Sequence, residues 1–238
     1  MQKLPLPSLI DGIRLLRSTE EEAAFAYREW LKAKDDINFS YGPALRTVRP
    51  IYSGIELSCA LEAANRCPKT WKKANEDVIR LVHAEAEKKK DENGKPLTCL
   101  ETPYRRFVIR PDMKFSIRPS VLYVLRKKAI VLWVQPRKTH GMNFTQIGIL
   151  MAIAKHAVIS DDIPDSQADI EFLDLSADDS GSRLVTPYRL EDFTLPNVSD
   201  IQDQFQIFAR AYDEVCREGF EIRKRPRKRP DSHMPNFL

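Results

Sequence analysis

The run Ala129-Ile130-Val131-Leu132-Trp133-Val134 constrains this chain more than any other feature. Six consecutive apolar residues, rich in β-branched and aromatic types, predict a strand. The absence of any polar alternation means that both faces of that strand must be covered, as in the centre of an α/β sheet. Upstream, SVLYVL is separated from it only by Arg126-Lys127-Lys128, which predicts a hairpin. Everything else in the chain has to supply neighbours and covering layers for this strand.

Helical patterns lie on both sides of it. EEEAAFAYREWLKAK sets Phe25, Tyr27, Trp30 and Leu31 in helical register behind Ser18 and Glu21, which have capping-box spacing. Ser53 and Glu56 repeat the device before a short helix that Pro68 ends. A third helix is predicted from Lys69 to about Lys90, with Trp71, Val78, Leu81 and Val82 apolar. Strand patterns begin after residue 103: YRRFVIRP, MKFSI, SVLYVL and AIVLWVQ. After Asn143 the period turns helical (FTQIGILMAIAKHAV). DIEFLDL and RLVTPY then read as strands. Ser199 and Gln202 open a last helix that Gly219 stops.

Charge is segregated along the chain, which a net charge of +4 conceals. Residues 104–138 carry ten basic side chains and one acidic; residues 139–221 carry five basic and 16 acidic. Six further bases (Arg223, Lys224, Arg225, Arg227, Lys228 and Arg229) crowd a proline-rich tail. Such blocks predict either a surface for nucleic acid or another acidic partner, or neutralisation between segments within the fold. In the tail the block reads as a solvated segment or as an electrostatic arm.

Membrane and secretory classes are not expected. No apolar run approaches the ~20 residues of a membrane helix, and two prolines interrupt MQKLPLPSLI, where a signal peptide needs an unbroken apolar segment. Cys59, Cys67, Cys99 and Cys216 include no Cys-x-x-Cys pair and read as reduced thiols of a cytoplasmic protein. Phosphate-cradling glycine loops, nucleophile elbows and His-Glu-x-x-His are absent. Asp161, Asp162 and Asp165 read as a solvated turn, and no metal ligands are assigned.

The order helix, strand meander, helix, strand over residues 69–176 (αβββαβ) resembles the core of the PD-(D/E)xK nuclease superfamily. The resemblance rests on Pro111-Asp112 and on Gln135-Pro136-Arg137-Lys138 at the end of the apolar strand. It implies a restriction-endonuclease-like α/β (α+β) fold. Residues 1–68 would form a helical region packed on a 69–221 core, with a C-terminal helix and a basic tail over 222–238. It further implies that Asp112, Gln135, Arg137 and Lys138 occupy the catalytic positions. There, carboxylates hold Mg²⁺ or Mn²⁺ and a lysine stabilises developing charge. On one alignment Gln135 and Arg137 stand where the family has Glu and Lys, on the other Pro136 and Lys138 do, and Gln146 with Leu150 stands where one branch has Gln-x-x-x-Tyr.

With no second carboxylate, the implied role is nucleic-acid binding with weak or no cleavage. Candidate phosphate contacts are Arg105, Arg106, Arg110, Arg118, Arg137, Lys138 and the six tail bases. Tyr104, Phe107 and Trp133 lie in the same segment, with core roles expected for most. Two alternatives stay open: a protein-interaction or structural component using the acidic 139–221 region, and an active metal-dependent nuclease.

Overall fold

A computed structural model describes residues 3–36, 39–90, 94–102, 104–139, 141–159 and 164–220. In chain order its elements are α1 (Leu9–Arg14), α2 (Glu20–Asp36), α3 (Gly42–Tyr52), α4 (Leu57–Asn65), α5 (Lys69–Glu87), β1 (Thr98–Leu100), β2 (Arg105–Arg110) and β3 (Met113–Ile117). There follow β4 (Val121–Leu125), β5 (Lys128–Gln135), α6 (Phe144–Val158), β6 (Ala168–Asp174), β7 (Thr186–Arg189) and α7 (Val198–Arg217). The apolar run becomes β5, in the middle of a five-stranded sheet ordered β1-β4-β5-β6-β7. β5 and β6 run parallel, with α6 as their crossover; the other pairings are antiparallel.

Both faces of β5 are covered, by different helices. Val131 and Trp133 point into a core shared with Leu122, Ile170 and Phe172 and with residues of α1, α2, α6 and α7. Ile130, Leu132 and Val134 point the other way, into a core with Tyr123, Leu173 and residues of α3, α4 and α5. Side chains alternate across a strand, so one unbroken apolar run feeds both cores. Each fully buried aliphatic or aromatic side chain contributes roughly 1.5–3 kcal/mol relative to exposure. The N-terminal helices therefore split between the layers: α1 and α2 lie on the α7 side, α3 and α4 beside α5.

The strand-rich segment divides differently from its sequence pattern. Residues 105–117 form a separate two-stranded ribbon, β2–β3, and do not extend the central meander. Their alternation explains the separation. Phe107, Met113, Phe115 and Ile117 are buried on one face, while Arg106, Val108 and Lys114 are exposed on the other. A strand that is apolar on one face suits a one-sided layer, here lying on Phe205 and Phe208 of α7. The first strand of the meander is instead β1, upstream of residue 103.

Helix starts also shift. The hydroxyl of Thr19, not Ser18, accepts from the Glu22 amide at the head of α2. Asn197, not Ser199, caps α7. Ser53 closes α3, a helix not expected from the sequence, and Glu56 is the N-cap of α4. Past α3, Gly54 holds φ +91°, and a Cβ there would lie 2.3 Å from Pro96 Cγ, so only glycine fits.

Candidate nucleic-acid interface

The outer face of the β2–β3 ribbon gathers Tyr104, Arg106, Val108, Lys114, Ser116 and Arg118. Antiparallel register sets Arg106 opposite Ser116 and Val108 opposite Lys114. Tyr104 is half-exposed and organises the cluster. Arg106 Nε donates to its phenolic oxygen at 3.0 Å, and Ser116 Oγ lies 3.3 Å from the same atom. The guanidinium carbons of Arg106 and Arg118 sit 5.3 and 5.6 Å from the ring centroid. The hydrogen bonds from Ser116 and Arg106 favour the phenolate and bring the Tyr104 pKa down to about 8. A groove of about 450 Å³ opens beside this face, lined by Leu6, Ser8, Lys114, Ser116, Arg118 and Trp133, among others.

Among the described residues, Arg106, Lys114 and Arg118 have no carboxylate partner, and Arg105 reaches only the Tyr104 carbonyl, at 3.4 Å. Arg110 differs. Its guanidinium donates to both oxygens of Asp213 on α7, at 2.5 and 2.6 Å, and lies 3.0 Å from Asp112. Arg110 thus anchors the ribbon to α7 and is withdrawn from the candidate phosphate contacts. Among the described residues this is also the one ion pair joining the basic 104–138 segment to the acidic 139–221 segment. Most of the acidic segment's other ion pairs reach α2 or the residues just after α5: Arg28 with Glu214 and Glu218, Arg210 with Glu20, Lys89 with Glu171. The basic ribbon is therefore left facing solvent.

The implied catalytic residues are dispersed. Asp112 lies in the turn of the ribbon, exposed, next to Arg110. Gln135 is buried at the carboxyl end of β5, in register with Asp174 of β6, while Arg137 pairs with Asp11 at 2.7 Å. Lys138 is exposed, and its carbonyl accepts from the Ala177 amide. The meander strand beside β5 begins after Pro119-Ser120, and Ser120 Oγ accepts from the Val134 amide. Ser120 thus places an uncharged hydroxyl beside the end of β5. Gln146 completes a capping box with Asn143 at the head of α6.

These residues do not fit a divalent cation. Asp174 accepts from the amide and hydroxyl of Ser176, so its oxygens are already engaged. Arg14 and Arg137 share Asp11 beside it. Burial first, and then the neighbouring Arg137, lower the Arg14 pKa, against the opposing pull of Asp11 and Asp174. Hard cations need an excess of anionic oxygen; here two guanidiniums, Arg14 and Arg137, already balance the two carboxylates Asp11 and Asp174.

The six tail bases, Asp161, Asp162 and His140 lie outside the described residues. Lys114 was not singled out by sequence, although the alternation of MKFSI already set it opposite Met113 and Phe115. Of the three aromatics, Phe107 and Trp133 are core residues, and Tyr104 is at the surface. The comparisons with known proteins add no relative: no family model, no curated protein and no solved structure matches the chain.

Proposed function

We propose that this protein binds nucleic acid through the outer face of the β2–β3 ribbon, on a nuclease-like scaffold without a metal-binding carboxylate pair. The observation that carries the reading is the cluster Arg106, Lys114 and Arg118 around Tyr104. Its cations have no carboxylate partner among the described residues, and its one aromatic ring stands free of the core. Cations without carboxylate partners are available to phosphates, and a two-stranded ribbon has the width to enter a major groove. An exposed tyrosine between arginines offers a stacking surface for an unpaired base. The meander β1, β4 and β5, the crossover α6 and the parallel strand β6 support the nuclease-like part of the reading. Ser120 and Gln135 at the end of β5 support binding without metal-dependent cleavage.

Fluorescence anisotropy with labelled duplex and single-stranded oligonucleotides across a salt series tests this. The expected result is an affinity that falls steeply with salt, with a shallower salt slope in Arg106→Glu/Lys114→Glu. The absence of binding at low salt, or a slope unchanged in that variant, overturns the reading.

A further inference from the structure

A second basic cavity lies at the opposite end of the sheet from Gln135 and Asp174, on the α5 face. Its volume is about 380 Å³, within the range of small-ligand pockets. Six cations line it (Lys88, Lys89, Lys90, Arg126, Lys128 and Arg189) against the carboxylates of Asp169, Glu171 and Glu191.

These cations fall into two groups. Lys88, Lys89 and Lys90 follow α5 directly and pair with Glu85, Glu171 and Glu87, while Arg189 lies 3.9 Å from Glu191. Arg126 and Lys128 have no ion-pair partner among the described residues and stand at the mouth, on the β4–β5 hairpin. Its two-residue turn places Arg126 at φ 48° and Lys127 at φ 65°, the left-handed region. Such turns favour Asn-Gly, because β-carbons are disfavoured there. The chain thus carries two long cationic side chains in a backbone conformation that works against them.

The floor has a different character. Glu171 is buried, accepts from Tyr123 Oη at 2.9 Å and pairs with Lys89. Among the described residues, half-buried Asp169 accepts only the Ile170 amide, at 2.7 Å, which leaves lone pairs toward the cavity. A cationic mouth above an acceptor floor matches a molecule with an anion at one end and hydroxyl donors at the other. We infer that this cavity binds a phosphate monoester of a hydroxyl-rich body, a sugar phosphate or mononucleotide. Arg126 and Lys128 hold the phosphate, and Asp169 accepts from the hydroxyls, with Glu171 behind it held by Lys89 and Tyr123. The site is separate from the ribbon and does not depend on nucleic-acid binding.

Isothermal titration calorimetry with ribose 5-phosphate, adenosine 5′-monophosphate and inorganic phosphate tests it on the full chain. Rebuilding the turn as Arg126→Asn/Lys127→Gly suits the local backbone, so this variant should melt at or above the wild-type temperature. We expect at least one ester to bind about tenfold more tightly than inorganic phosphate, and Arg126→Asn/Lys127→Gly and Lys128→Gln each to weaken it about tenfold. Arg106→Glu/Lys114→Glu, on the ribbon, should leave ester binding unchanged. Which ester binds more tightly tells a sugar phosphate from a mononucleotide. Failure of both esters to bind, inorganic phosphate binding as tightly as either, or affinity unchanged in the folded mouth variants would overturn the assignment.

Discussion

Arg110 on β2 and Asp213 on α7 form a two-pronged ion pair, at 2.5 and 2.6 Å, across 103 positions of sequence. The pair fastens the ribbon to the helix beneath it, and its hydrogen bonds hold the Asp213 carboxyl below the usual carboxylate range. A depressed folded pKa contributes stability above the unfolded value of about 3.9, and that stability is lost as pH falls through the folded value. Because the pair is partly open to solvent, Asp213→Asn should cost only about 1 kcal/mol at pH 7. Urea denaturation should show the difference from wild type shrinking below pH 4.

Tyr104 supplies a pH signature for the proposed interface. With its pKa at about 8, the phenol becomes an anion among the very cations that would meet phosphate. Oligonucleotide affinity should therefore fall as pH rises through 8, more steeply than in Tyr104→Phe. Anisotropy titrations between pH 6.5 and 9.5 would check it; identical pH profiles in the two proteins would remove the ribbon face from the binding surface.

Lys89 neutralises two buried carboxylates at once, Glu85 and Glu171. Burial, and secondarily Glu171, already push the Tyr52 and Tyr123 phenols well above their ordinary pKa. Lys89→Met should destabilise by about 3–5 kcal/mol, because it strands charge in a low-dielectric layer. Adding Glu171→Gln should recover part of that loss in a denaturant titration.

Gly12 in α1 sits against Phe115 of the ribbon. A Cβ there would come within 2.9 Å of the ring, which is held by Phe205 and Phe208. Gly12→Ala should cost about 1–3 kcal/mol, against the gain that alanine brings to an open helix. Thermal unfolding would settle the sign.

What the sequence disclosed followed from how strongly each segment was patterned. AIVLWV could be read as a doubly covered strand because six apolar residues leave no solvent face, and DIEFLDL and the α6 segment were equally distinct. The ribbon was misplaced because YRRFVIR and MKFSI look like sheet strands locally; only their one-sided burial separates them. α3 was missed because Pro50 and Arg49 interrupt GPALRTVRPIY, although Val48, Ile51 and Tyr52 still bury one face. The site was only partly legible. Composition located its charge, but the partner that withdraws Arg110 lies 103 residues away. The dispersal of Asp112 from Gln135 depends on the ribbon lying outside the central sheet, a placement decided by its packing on α7.

The two cores share a wall one strand thick. Val131 and Trp133 lean on one helical layer and Leu132 and Val134 on the other, so neither layer can peel away without wetting a side of β5. The molecule has no spare scaffold to retain half its order. Calorimetry should therefore record a single melting event, and damage on the α5 side should be felt by the ribbon across the sheet.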